Sequence, residues 1–258
     1  MIVRTMGALV ALMLACASAQ AASVDELVAK NLEARGGLAR LQAIKTFRAE
    51  GKLLFGGQFE LGLVQYQKAP ESIRNEANLQ GLTAVQAWDG KEAWQISPFQ
   101  GRKDPEKMTP DDAKAFADDA PIGGPLLDWQ ARGSKVEYLG TEDVDGTEAH
   151  KLKVTLKNGD VDYVYLDPDH WLEIRVVAQR MVRGTQVESS NDYGDYEEVA
   201  GVYFPFSIST VNKADGSTQQ ITIDKAEANV PLDDALFAFP NGASSAAANP
   251  ASVKGAGK

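Results

Sequence analysis

A chain of 258 residues carries 36 acidic against 26 basic side chains, a formal net charge of −10. Such a surface repels phosphates, which excludes nucleic acid as a partner and passive docking on anionic lipid. With 44% hydrophobic and 24% charged residues, the composition is that of a folded globular domain rather than a disordered or fibrous chain.

The N-terminus reads as an export signal. Arg4 gives a basic start, Met6 to Ala15 an apolar core, and Ala19-Gln20-Ala21 the small-x-small pattern cut after its last residue. Cys16 offers a lipid anchor instead, but Leu14 stands where a lipobox requires a small residue, so cleavage after Ala21 and a periplasmic location are expected. Cleavage removes the only cysteine, so a single domain over 22–240 has to be held by its own core.

In that domain Ser23 and Glu26 form a capping box, and Val24, Leu27, Val28 and Leu32 recur at helical spacing until Gly36-Gly37 stops them. Leu38, Leu41 and Ile44 make a second short helix. Residues 48–55 and 59–68 alternate as strands around the hairpin Gly56-Gly57. Pro70 marks a corner, because proline cannot donate to a sheet ladder. Strands at 72–79, 83–88 and 92–96 follow, the last two joined by Asp89-Gly90. Residues 97–133 break the rhythm. Thr109-Pro110-Asp111-Asp112 caps a helix to about Phe116, and Ile122-Gly123-Gly124-Pro125 leads into Leu126, Leu127 and Trp129. Strands resume at Lys135, with turns at Asp145-Gly146, Asn158-Gly159, Asp167-Pro168-Asp169, Arg183-Gly184, Gly201 and Asp215-Gly216. A helical turn at 233–237 precedes Phe239-Pro240, and from Asn241 the composition is that of a disordered tail. The total is about eleven strands at hairpin spacing, an antiparallel meander with a few helices.

Little in this chain looks catalytic. His150 and His170 are its two histidines, without a metal-binding spacing, and there is no Gly-x-Ser-x-Gly elbow or phosphate-cradling glycine loop. The acids at 142, 143 and 145, and at 160, 162, 167 and 169, surround turns, where aspartate bonds its local backbone. No enzyme, metal or cofactor is expected. The aromatic residues Phe59, Tyr66, Trp88, Trp94, Phe99, Phe116 and Trp129 are more suggestive. A curved sheet of this size has more concave face than one or two helices can fill, and the remainder is predicted to be an apolar cavity.

The order of several short motifs resembles the outer-membrane lipoprotein-sorting proteins of the LolA-like superfamily. These are Gly36-Gly37 with Ala43-Ile44, Lys68-Ala69-Pro70, Ile73-Arg74, Ala87-Trp88-Asp89-Gly90-Lys91, Trp94, Pro98-Phe99, Tyr165-Leu166-Asp167, Gly201-Val202-Tyr203-Phe204-Pro205 and Leu236-Phe237-Ala238-Phe239-Pro240. The resemblance implies a mainly β (α+β) fold, an unclosed half-barrel wrapping helices that act as a lid. It implies a carrier of acyl chains of lipoproteins or lipids, working as a monomer with inner- or outer-membrane transfer partners. Trp88, Trp94 and Phe99 would then lie on or beside the cavity, and Leu126, Leu127 and Trp129 in its lid or mouth. The best-known carriers place an arginine directly before the proline, where it holds the lid closed. Here that place is Ala69, with Lys68 before it and Arg74 as the substitute. The expected ligand-binding set is therefore Phe59, Tyr66, Arg74, Trp88, Trp94, Phe99, Leu126, Leu127 and Trp129. A sensing or protein-interaction module on the same fold is the alternative, and a hydrolase using turn carboxylates the remote one.

Overall fold

The computed structural model describes residues 23–240; the export signal, Cys16 and the tail from Asn241 lie outside the described residues. The capping box forms as read: the Ser23 hydroxyl accepts from the Glu26 amide at the start of α1 (Val24–Ala34). Gly36 ends that helix for a steric reason. Its φ is +115°, and a Cβ there would stand 2.2 Å from the Gly201 carbonyl oxygen. Only glycine allows the backbones so close. The helix end is thus pinned to the sheet, and the Tyr203 amide donates to the Arg35 carbonyl at 2.9 Å. Helix α2 (Leu38–Ala43) follows at once.

Thirteen strands make one sheet, two more than the sequence suggests. They are β1 (Thr46–Phe55), β2 (Phe59–Lys68), β3 (Ser72–Leu79), β4 (Leu82–Trp88), β5 (Ala93–Ser97), β6 (Arg102–Lys107), β7 (Lys135–Val144), β8 (Thr147–Thr155), β9 (Val161–Leu166), β10 (Glu173–Val182), β11 (Thr185–Val199), β12 (Val202–Asn212) and β13 (Thr218–Ala228). Strand β6 is hidden within residues 97–133, where the strand rhythm breaks, because its sequence, Arg-Lys-Asp-Pro-Glu-Lys, has no apolar alternation to reveal it. A strand with Pro105 is tolerated at a sheet edge, and β6 is an edge.

Every pairing is antiparallel. The spatial order is β6-β5-β4-β3-β2-β1-β13-β12-β11-β10-β9-β8-β7. Each half of the chain is a simple meander, and the halves are joined where β1 pairs with β13. At Glu50/Gly51 that ladder shifts register, and a Cβ on Gly51 would meet the Thr222 carbonyl oxygen at 2.0 Å. The sheet is unclosed, since β6 and β7 do not pair. Residues 108–134 connect these two edges and carry α3 (Pro110–Ala117), capped by Thr109 with Pro110 at the first position.

One face of the sheet carries the helices. Helix α1 buries Leu27 and Val28 against Val136, Leu152, Val154, Val164, Leu166 and Val176 of β7–β10. Helix α2 and Ile44 pack Leu41 against Phe47, Ala49, Val202, Phe204 and Phe206. This inner face is apolar where helices cover it. The outer face of the first meander is covered differently. Residues 231–240 run over it as a strap, with Phe237 only 1% exposed and Phe239 beside Trp94.

Candidate functional site

A cavity of about 590 Å³ opens on the inner face, within the range of small-molecule sites. Its lining comes from β1–β4, β9–β13 and the 108–134 connection, so the sheet curls around it. Its apolar part includes Phe47, Ala49, Phe204, Phe206, Ile208, Ile221 and Ile223, with Ile73 and Val176 beside them and Phe116 contributed by α3. Strand alternation explains this set: Phe47 and Ala49 share a face of β1, as do Phe204, Phe206 and Ile208 of β12.

A second part of the lining is polar. Gln65, Gln67, Asn75 and Gln86 come from β2–β4, and Ser189, Asn191 and Thr210 from β11 and β12. Charged residues gather where the connection meets β9 and β10. Arg180 donates to Asp162 at 2.6 Å and lies 3.1 Å from Asp118, all three largely buried. Lys114 of α3 pairs with Asp160 at 2.9 Å. Nearby, the Arg35 guanidinium donates to the Gly123 carbonyl at 2.6 Å and faces Glu173 at 3.4 Å.

Burial, reinforced by the neighbouring carboxylates Asp160 and Asp162, pushes the Asp118 carboxyl up to about 7 despite Arg180. Asp119 keeps accessible surface where it opens onto the cavity, yet the surrounding protein pushes it up to about 6. Burial likewise raises Asp162, with Arg180 opposing it, and raises the phenols of Tyr193 and Tyr196. A buried arginine shared by two carboxylates is an ion cluster that must stay intact, because one unpaired member costs several kcal/mol.

None of the nine expected ligand-binding residues lines this cavity. Tyr66, Arg74 and Trp94 stand opposite one another across β2–β5 on the outer face, in the row Arg48–Tyr66–Arg74–Ala87–Trp94. They fasten the strap instead. The Trp94 indole donates to the Phe237 carbonyl at 2.8 Å, Arg74 to the Leu236 carbonyl at 3.0 Å, and Lys68 to the Leu232 carbonyl at 3.0 Å. Arg74 therefore cannot replace the missing arginine at Ala69. The cations that hold the connection are Arg180, Arg35 and Arg183 from outside it and Lys114 from within it. Phe59 (58% exposed) sits at the first hairpin and Phe99 (45% exposed) in a single 3-10 turn at 98–100. Leu126 packs with α1 and Leu127 with α2, while Trp129 is half-buried against the same core. Trp88, through its pairing with Ile73, and Phe59, in alternation with Gln65 and Gln67, share the cavity's face but lie outside its lining.

The expected set missed both parts of the lining: the apolar floor of Phe47, Phe204, Phe206, Ile208, Ile221 and Ile223, and the polar residues, which are the amides, Arg180, Arg35, Glu173, Asp118 and Asp119. Only alternation with apolar neighbours could have flagged them, as in Val161-Asp162-Tyr163-Val164. Asp162 belongs to the buried ion cluster and not to a turn. Asp167 is the turn residue expected, accepting from the amides of Asp169 and His170. His150 stacks on Trp171, with Tyr138 on its Nδ1 at 3.0 Å. Among the described residues no group of three potential ligands is placed to hold a metal, and no helix is long and apolar enough to cross a membrane.

No family model matches the chain, and no curated protein matches it. Solved structures do. A domain whose name assigns it to outer membrane lipoprotein sorting, from Vibrio parahaemolyticus, superposes with a TM-score of 0.55 at 11% identity, covering 82% of this chain and 94% of its own. A DUF1329 family protein from Desulfovibrio piger matches at 0.55 and 13% identity, over 83% and 97%. A LolA superfamily protein from Nitrosomonas europaea matches at 0.55 and 12%, over 81% and 96%. Identities this low speak to architecture alone, and the architecture is LolA-like: an unclosed antiparallel sheet curled around helices and a cavity.

Proposed function

We propose that this protein is a periplasmic binding or carrier protein that takes up an acyl chain of a lipoprotein or lipid and releases it chemically unchanged. The observation that carries the reading is the 590 Å³ cavity, floored by Phe47, Phe204, Phe206, Ile208, Ile221 and Ile223, in a LolA-like sheet. Transfer of a tail from water to that floor contributes about 0.8 kcal/mol per buried CH₂. The 108–134 connection governs entry, since it spans the gap between the sheet edges and places Phe116 against the cavity. A carrier of this kind acts as a monomer and meets a delivering and a receiving membrane component.

The test is mass spectrometry of organic extracts from protein purified from the periplasm, with fluorescent fatty-acid binding in parallel. Co-purified lipid or lipopeptide and saturable binding are expected. Empty extracts together with absent binding overturn the reading.

A further inference from the structure

The first meander carries a feature that an acyl chain does not use. Gln65 pairs with Asn75, Asn75 with Gln86, and Gln86 with Gln95, so four consecutive strands present an amide at one register on the inner face. The row ends at Glu106, which accepts from Gln95 at 2.9 Å. Gln65 donates to Asn75 at 3.1 Å. Among the described residues the Gln86 side chain has no partner, and each amide offers two donors and an acceptor. Much of the row's hydrogen-bonding capacity is unspent. Two residues along β4 on the same face, the Trp88 indole nitrogen is buried without a partner, a donor that normally finds an acceptor.

The charges in the lining point the same way. Its cations are Arg35 and Arg180, and both are already committed to Glu173, Asp118 and Asp162. Asp119 adds a further carboxyl. A phosphate or carboxylate head would enter without a free counterion, at a desolvation cost that no residue offsets.

We infer that the cavity's ligand is an amphiphile with an uncharged, hydroxyl- or amide-bearing head, bound by Gln65, Asn75 and Gln86 while its tail lies on the apolar floor. This rests on the acyl-binding reading and adds the head chemistry. Such a head can come from a sugar-bearing lipid or from the peptide end of an acylated protein.

The test compares four probes with the same dodecyl tail, below micelle formation: dodecyl maltoside, an N-dodecanoyl dipeptide amide, dodecanoate and dodecyl phosphate. At least one neutral probe is expected to bind about tenfold more tightly than both anions, or about 1.4 kcal/mol. Which neutral probe wins identifies the source of the head. Asn75→Leu with Gln86→Leu removes the preference. Gln86→Lys, at an exposed position, supplies the missing cation and shifts preference toward dodecyl phosphate. Anions binding as tightly as the neutral probes, or a preference unmoved by these variants, overturns the inference and leaves tail binding standing. Binding of none of the four defeats the acyl reading as well.

Discussion

Trp94 shows how a single residue can mislead. An indole beside a predicted cavity suggests ligand contact, yet alternation along β5 turns it to the outer face, where it is 2% exposed under the strap. We expect Trp94→Ala to destabilise the fold by about 3–5 kcal/mol and to leave probe affinity within twofold. Chemical denaturation and a binding titration check the two halves. The carboxylates give a pH prediction. Asp118 titrates near 7 in the folded protein, above its unfolded range, so between about pH 4 and 7 the native state holds the extra proton. Stability from this group is present at low pH and is lost as pH rises toward 8. Asp119 acts in the same direction. Thermal melts of Asp118→Asn should therefore show a flatter loss between pH 5 and 8 than the parent protein. An unchanged slope refutes the assignment.

The elements were legible where apolar alternation was strong. Helix α1, its cap and its glycine stop, the two-residue turns at Asp145-Gly146 and Arg183-Gly184 and most strand positions follow from local rules, whereas the turn at Gly56-Gly57 takes a third residue, Gln58, because Phe55 pairs with Phe59. Strand β6 was not legible, because Arg102 to Lys107 spell an edge strand in charges and proline. Nor was the polar side of the cavity: an isolated Gln65 or Asn75 reads as surface, and only the register aligns them. The 108–134 connection shows what elements add to residues. Among the described residues α3 buries no side chain fully and is held by charge, through Lys114–Asp160, the Arg183 amide on Asp111, and the neighbouring Asp118–Arg180 contact. Arg180→Ala strands Asp118 and Asp162 and should cost about 3–5 kcal/mol, whereas Arg180→Met with Asp118→Asn and Asp162→Leu, which leaves no carboxylate unpaired, should cost far less. Denaturant unfolding of the two variants measures the difference. Cross-linking Lys114→Cys to Asp160→Cys should slow fatty-acid exchange several-fold in stopped-flow fluorescence and spare equilibrium affinity, if the connection governs entry as proposed.

At the scale of the whole molecule, the sheet has two edges, and both need protection from pairing with other chains. Strand β6 has it from Pro105 and its five charged side chains, and β7 has Lys135, Glu137 and a register shift between Tyr138 and Thr141. Ligand binding should stabilise the assembled sheet by mass action, about 2.7 kcal/mol at a hundredfold excess over Kd. A concentration-dependent melting temperature with the tightest probe tests that.

The β1–β13 pairing carries a consequence for how the chain assembles. Every other ladder joins neighbours in sequence, but Phe47 has to find Ala228 across nearly the whole domain. Closing such a long loop is entropically slow. The two meanders should form first and this seam last. A circular permutant that links residue 240 to residue 23, keeping both helices and the strap, and opens within 118–134 would make chain order and strand order identical. It should fold faster than the parent at similar stability, and the ratio of the two rates would measure what the seam costs in time.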